Sequence, residues 1–231
     1  MGLRLSKESR EVEISTYTTL RSRPVRPGTE LSAKRTFDVV VASAILLFTA
    51  PLILAVAIIV RLQDGAPALF RQSRLGKDGV PFKCYKLRSM VADADIRLQE
   101  LLAADPEARR EWADTQKLTH DPRITPFGHF LRKSSIDELP QLINVIRGDM
   151  SLVGPRPIVE SEVSKYGDNF KDYCAVRPGL TGLWQVRGRS DTTYETRVEM
   201  DVEYVREHSF LSDLKILFLT VPAVFNSRGA R

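Results

Sequence analysis

The longest uninterrupted apolar stretch lies near the amino terminus. Val39 to Val60 reads VVVASAILLFTAPLILAVAIIV, twenty-two residues without a charge. As a helix it would span about 33 Å, enough to cross the hydrocarbon core of a bilayer. Lys34 and Arg35 precede it and Arg61 follows it. Cations at both ends favour neither orientation by the positive-inside rule and hint that both ends face the cytoplasm. Pro51 sits near the middle, where it removes one backbone hydrogen bond and crowds the preceding turn. Two topologies satisfy this pattern: a kinked spanning helix, or a helix-break-helix that re-enters the leaflet it came from.

Downstream the periods shorten and alternate. Ala68 to Phe70 and Phe82 to Leu87 predict short strands around a turn at Gly76 to Gly79, with apolar and basic residues alternating in the second. Residues 93 to 118 have helical composition, and Asp105-Pro106, a cap followed by a first-position proline, splits them into two helices. Leu139, Leu142, Ile143 and Ile146 recur at helical spacing and stop at Arg147-Gly148. Loops rich in glycine, proline and arginine fill 149 to 191, and a helix follows near 193 to 207. The final apolar run, Leu211 to Phe225, carries Asp213 and Lys215, so it predicts a helix in the interface plane or packed on the core, not a span. Residues 1 to 33 carry six arginine and lysine side chains with Pro24, Pro27 and Gly28 and little apolar periodicity, which reads as a flexible basic tail and not as a secretory signal.

A hydrophobic content of 43% excludes wholesale disorder. The net charge of +5 favours an anionic partner: a lipid surface, a nucleotide-linked substrate or a nucleic acid. Nucleic acid is the weakest of these, because no recognition motif or aromatic stacking pattern accompanies the charge. Cys84 and Cys174 stand far apart with no metal-ligand spacing, so neither a disulfide framework nor a zinc site is expected, and a cytosolic-facing domain fits. His120, His129 and His208 are scattered and read as structural or surface residues.

Candidate chemistry centres on Arg132-Lys133-Ser134-Ser135-Ile136-Asp137-Glu138-Leu139-Pro140. Two carboxylates open the 139 to 146 helix. Pro140 tolerates Asp137 as the helix cap better than Ser135, which leaves Glu138 without a capping task. A helix start also collects free amides that suit a phosphate. An aspartate is a competent nucleophile toward phosphorus, and a second carboxylate takes a proton or holds a metal. Three nearby loops, Gly148 to Pro157, Val176 to Gly182 and Val186 to Arg189, each pair arginine with glycine or proline. Glycine lets backbone approach a ligand closely, and arginine forks match phosphate oxygens, so the set favours an anion site over plain turns.

The hairpin around Pro51, the run Phe82 to Met90, the run Leu131 to Leu142, Gly148 to Pro157, Arg177-Pro178-Gly179-Leu180-Thr181-Gly182-Leu183-Trp184-Gln185 and Arg187-Gly188-Arg189 stand in an order that resembles the bacterial sugar transferase family, the monotopic polyprenyl-phosphate phosphoglycosyltransferases. The likeness covers roughly 34 to 228 and extends to the short members that begin exopolysaccharide assembly with galactose or glucose. It departs at Ala50-Pro51, where many relatives have Ser-Pro.

The resemblance implies an α-rich α/β fold: a re-entrant membrane helix-break-helix at 34 to 61, then a cytosolic catalytic domain at 62 to 231 with a small sheet and interfacial helices. It implies a magnesium-dependent enzyme of the bacterial inner membrane, with its catalytic domain on the cytoplasmic face. Sugar-1-phosphate would pass from a UDP-sugar to undecaprenyl phosphate with release of UMP. Asp137 is then the nucleophile and magnesium ligand, Glu138 its helper as base or by positioning the acceptor, and Lys86, Arg132, Arg156 and Arg189 the phosphate and nucleotide contacts. The rival reading from another class is a non-catalytic membrane-anchored module that grips anionic lipid or a phosphorylated partner.

Overall fold

A computed structural model describes residues 33–115, 118–188 and 193–225. The basic tail expected at 1 to 33 thus lies outside the described residues except for its last position.

Helix α1, Ala33–Asp64, runs through Pro51 as one 32-residue helix. The helix is not interrupted at Pro51, so any turn of the chain there is a bend within one continuous helix. Proline's fixed φ is itself helical, so a single proline forfeits one hydrogen bond without ending the helix. The Thr49 hydroxyl donates back to the Ile45 carbonyl at 2.8 Å in the turn before the proline. The middle of α1 is bare, with Leu47 80% and Phe48 87% exposed. Its two ends are not. At the start, Ala42 is fully buried, Asp38 accepts from the Ser151 hydroxyl at 2.8 Å, and Arg35 donates to the carbonyls of Val145 and Ile146. At the far end, Val56 and Val60 pack with Leu87 and Leu131, and Arg88 forks onto both oxygens of Asp64. Both ends of the apolar helix therefore dock on the same compact body.

That body opens with an antiparallel hairpin, β1 (Leu69–Leu75) and β2 (Pro81–Leu87), paired from Leu69 opposite Leu87 to Leu75 opposite Pro81. The first strand is longer than its apolar start predicts, because Arg71 to Arg74 are polar yet still pair along the ladder. Next come α2 (Ala94–Ala104) and α3 (Pro106–Thr115), divided as Asp105-Pro106 predicts. The Asp105 carboxylate accepts from the amides of Glu107 and Ala108, a short-range cap that the sequence spells out.

Helix α4 (Pro126–Ser134) is capped by Thr125, which accepts from the Gly128 amide at 2.9 Å, and it ends on Ser135 in the left-handed region. After a 3₁₀ turn, Ile136–Glu138, helix α5 (Gln141–Arg147) stops at Gly148, whose φ of 97° closes it. Strand β3 (Ser151–Val153) pairs in parallel with β4 (Gly179–Thr181), and the short helices α6 (Val163–Tyr166) and α7 (Phe170–Ala175) bridge them. The chain closes with α8 (Leu183–Arg187), α9 (Tyr194–Glu207) and α10 (Phe210–Phe225). Helix α10 packs on the core through Ile216, while Leu211, Phe218 and Val221 stay exposed on the other side.

The main core joins Ala42, Phe82, Cys84, Leu142, Val145, Met150, Leu152, Leu183, Tyr204 and Ile216, so α1, β2, α5, β3 and α10 all share it. Cys84 and Cys174 are both free thiols, as their spacing predicts. All three histidines are exposed.

Candidate active site

The left-handed conformation of Ser135, at φ 56°, reverses the chain after α4 and throws Ile136–Glu138 into a tight turn. Asp137 consequently does not cap α5, contrary to the sequence expectation. The helix starts beyond Pro140 on backbone bonds from Leu142 to Leu139 and from Ile143 to Pro140, with no side-chain cap. Asp137 is instead buried, 7% exposed, and makes no ion pair among the described residues. The helix that follows is one of seven residues and adds little dipole of its own.

Charge converges on this turn from four elements. From β2, the Lys86 ammonium donates to Glu138 Oε1 at 2.6 Å. From α4, Arg132 reaches the site with its Nε donating to the Ser89 hydroxyl at 2.9 Å, a contact made possible by Gly128. A Cβ at Gly128 would sit 1.9 Å from the Ser89 carbonyl oxygen, so only glycine lets α4 approach that strand end. Arg156 follows β3 and acts on Glu138, as does Arg74 from β1. Arg74 is a site residue that sequence reasoning missed; it looked like a strand-surface cation, and nothing local marks it as buried. Arg189, the remaining predicted contact, lies outside the described residues.

The two adjacent carboxyls titrate in opposite directions. Burial, then the negative charge of Glu138, raise Asp137 to about 6 against the pull of Lys86 and Arg132. Burial works to raise Glu138 too, but the charge and hydrogen bond of Lys86, backed by Arg156 and Arg74, override it and hold Glu138 below the usual carboxylate range. One carboxylate is thus neutralised by a lysine, while its neighbour has no ion pair among the described residues, in a setting rich in cations. Such a pair is suited to receive an anionic electrophile: the cations draw the phosphate in, and no bound cation competes for the Asp137 carboxyl.

Three glycines of these loops also pack chain against chain. At Gly179 a Cβ would lie 2.1 Å from the Gly154 amide nitrogen, and at Gly182 it would lie 2.3 Å from the Gly154 carbonyl oxygen. These glycines let two chain segments approach each other. Gly154 donates to Thr181 and Gly179 to Pro155, which fastens the loop that carries Arg156.

Similarity to known proteins agrees with this geometry. The chain is 49% identical to the exopolysaccharide production protein ExoY of Rhizobium meliloti (strain 1021) over 86% of this chain and 88% of that one. It is 50% identical to the undecaprenyl-phosphate galactose phosphotransferase of Salmonella typhimurium over 85% of this chain and 41% of the larger relative. It is 39% identical to the UDP-glucose:undecaprenyl-phosphate glucose-1-phosphate transferase of Escherichia coli over 94% of this chain and 48% of that one. Residues 29–227 match the model of the bacterial sugar transferase family, and with the carboxylate pair and its cations inside that span, the chain belongs to this family.

Proposed function

We propose that the protein transfers a hexose-1-phosphate, from UDP-galactose or UDP-glucose, to undecaprenyl phosphate, the first membrane step of exopolysaccharide synthesis. The observation that carries the reading is the buried Asp137 carboxyl, without an ion pair among the described residues, beside the Lys86–Glu138 ion pair and Arg132. An Asp137 oxygen attacks the sugar-bearing phosphorus of the donor, and the bond from that phosphorus to the bridging oxygen breaks. UMP leaves with the electron pair. A phosphate oxygen of undecaprenyl phosphate then attacks the phosphosugar ester, the bond to Asp137 breaks, and the carboxylate is restored with undecaprenyl diphosphate-sugar as product. Lys86, Arg132 and Arg156 balance the charge that accumulates on the phosphoryl oxygens. Glu138, held ionised by Lys86, is a poor base, so its role is to fix that ammonium and the acceptor in place.

Magnesium fits the residues present. Among the described residues no cluster of three or more metal-ligating side chains exists, but magnesium commonly takes one or two carboxylates with the rest of its shell from substrate phosphates and water. Asp137 would hold it through its carboxylate, and the ion would supply charge neutralisation between carboxylate and diphosphate.

The bare middle of α1 and its two docked ends support a re-entrant placement in the inner membrane, the body resting on the cytoplasmic face. The exposed apolar side of α10 extends that contact into the interface.

Replacement of Asp137 by Asn tests the chemistry. Transfer from UDP-sugar to undecaprenyl phosphate should vanish while membrane association persists, and mass spectrometry of the wild-type protein with UDP-sugar alone should find a phosphosugar on Asp137. Retained activity in the variant would remove the nucleophile from this scheme.

A further inference from the structure

Behind Arg156 lies a buried charged assembly that the transfer reaction as written does not use. The Arg156 guanidinium stacks on the Trp184 indole with its centre 5.5 Å from the ring. Arg197, on α9, sits 5.2 Å from the same ring and 4.9 Å from that of Tyr194. Arg197 is only 7% exposed. Its ion pairs are long, 3.6 Å to Glu162 and 4.0 Å to Asp201, and among the described residues its Nε and Nη2 have no hydrogen-bond partner. Burying a guanidinium with two unsatisfied nitrogens is expensive, and a leucine or methionine would fill the same space at lower cost. The arrangement makes sense if the charge acts on the rings. Arginine tolerates such a site better than lysine does, since it is planar, weakly hydrated and stacks on aromatic faces.

The loop that carries Arg156 is pinned along its backbone. Gly154 donates to Thr181, Gly179 to Pro155, Leu75 to Ile158, and Arg74 reaches the Pro157 carbonyl at 3.1 Å. The amide of Arg156 lies against Asp201, the same carboxylate that receives the Tyr166 hydroxyl at 2.6 Å and faces Arg197. With its main chain fixed and its neighbours Pro155 and Pro157 buried, Arg156 keeps freedom only in its side chain. Trp184 is the surface that limits it, and Arg197 packs against the same indole.

We propose that Arg197 is a positioning residue for the transfer reaction: packed between Tyr194 and Trp184, it fixes the indole as a platform that aims the Arg156 guanidinium at Glu138 and at the phosphate bound beside Asp137. The inference rests on the phosphate-transfer reading of that site. Arg156 makes no ion pair among the described residues, so the edge of its guanidinium stays available for an anion.

A double-mutant cycle in nanodisc-embedded full-length protein tests it. Arg197→Met should cut kcat/KM for the UDP-sugar donor roughly tenfold, the scale of one desolvated cation–ring contact, and the loss should fall chiefly on KM. Arg197→Lys should lose part of it, because a compact, strongly hydrated ammonium does not present a planar face to both rings at once. Trp184→Phe should keep part of the activity that Trp184→Leu loses, and these two carry the test if Arg197→Met does not fold. In an Arg156→Ala background the Arg197 substitution should have no further effect. An equal loss in both backgrounds, or a fall in kcat at constant KM with a matching drop in melting temperature, would mean that Arg197 only supports the fold, and the inference would be overturned. Absence of transfer by the wild-type chain with every UDP-sugar would overturn the phosphate-transfer reading, and this inference with it.

Discussion

Asp137 should make the protein less stable at neutral pH than it would be without it. In the folded chain its carboxyl is raised from the ordinary 3.8 to about 6, chiefly by burial and then by Glu138. The folded state therefore holds the proton more tightly than the unfolded state does. The stabilising contribution of the neutral carboxyl is complete below pH 3.8 and is lost as pH rises through 6. A shift of this size corresponds to about 3 kcal/mol at its ceiling. Asn has the same shape and no charge to desolvate, so Asp137→Asn should match the wild type near pH 4 and exceed it increasingly up to pH 6, with a plateau above. For a chain of this length the plateau amounts to roughly 6–12 °C in melting temperature. Glu138→Gln supplies the opposite sign. Its carboxyl is held down by Lys86, so the native ion pair stabilises the fold above the unfolded carboxyl's pKa and is lost as pH falls through the lower folded value. That variant should be less stable than wild type at pH 7. Thermal melts of the three proteins in the same lipid nanodiscs from pH 4.5 to 8, without substrate or metal, read both effects. Parallel curves for wild type and Asp137→Asn, or a variant less stable at pH 7.5, would refute the claim that Asp137 sits ionised in an unfavourable setting.

In the proposed reaction the same titration sets the acid limb: at magnesium concentrations far below saturation kcat/KM for the donor should fall below about pH 6 with unit slope, and a limb displaced to pH 4 or lower under those conditions would show that the nucleophile is not the raised carboxyl. Gly179→Ala should cost roughly 2–4 kcal/mol, since its Cβ would meet the Gly154 backbone nitrogen at 2.1 Å and neither backbone has room to move, and a melting temperature within a degree or two of wild type would contradict that geometry. A cysteine placed near residue 20 should be protected from an impermeant thiol reagent added outside intact cells, whereas labelling there would mean that α1 spans the membrane.

The features legible in the sequence are those whose cause is local. Asp105-Pro106 announces a cap and a first turn, and Gly148 announces a helix end, because the atoms involved lie within a few residues of one another. The Asp137–Glu138 pair was legible for the same reason, as a carboxylate doublet beside a helix. Its geometry was not. The reversal at Ser135 depends on a non-glycine residue in the left-handed region, which composition does not advertise, and it took Asp137 away from the capping task that Pro140 seemed to assign. Arg74, Arg197 and Asp201 escaped notice because their burial arises from contacts across the chain: Arg74 with Glu162 and Pro157, Arg197 with Trp184. The glycines of the 154, 179 and 182 loops were recognised as sites of close approach, but which backbone approaches which is a tertiary fact.

The position of the carboxylate pair relative to α1 carries a consequence for how the two substrates meet. The segment from Leu131 to Arg147 touches both ends of that helix. Leu131 and Ile136 pack with Val56 and Val60 near its carboxyl end, whereas Leu142 and Val145 share a core with Ala42 near its amino end, where Arg35 also binds the last carbonyls of α5. Lys86 is likewise tied to the helix, for Arg88, just past the end of β2, forks onto Asp64 and reaches the carbonyls of Val60 and Ala66. Asp137, Glu138 and the Lys86 that pairs with Glu138, the nucleophile and its helpers in the reading proposed above, thus hang from one apolar element at two points. Any change in the depth at which α1 sits would carry Asp137 with it as a rigid unit. A lipid phosphate is confined to the headgroup layer and a UDP-sugar to water, so a nucleophile suspended in this way meets both without a moving lid. In the reading proposed above, that fixed height is what the long apolar helix contributes to catalysis.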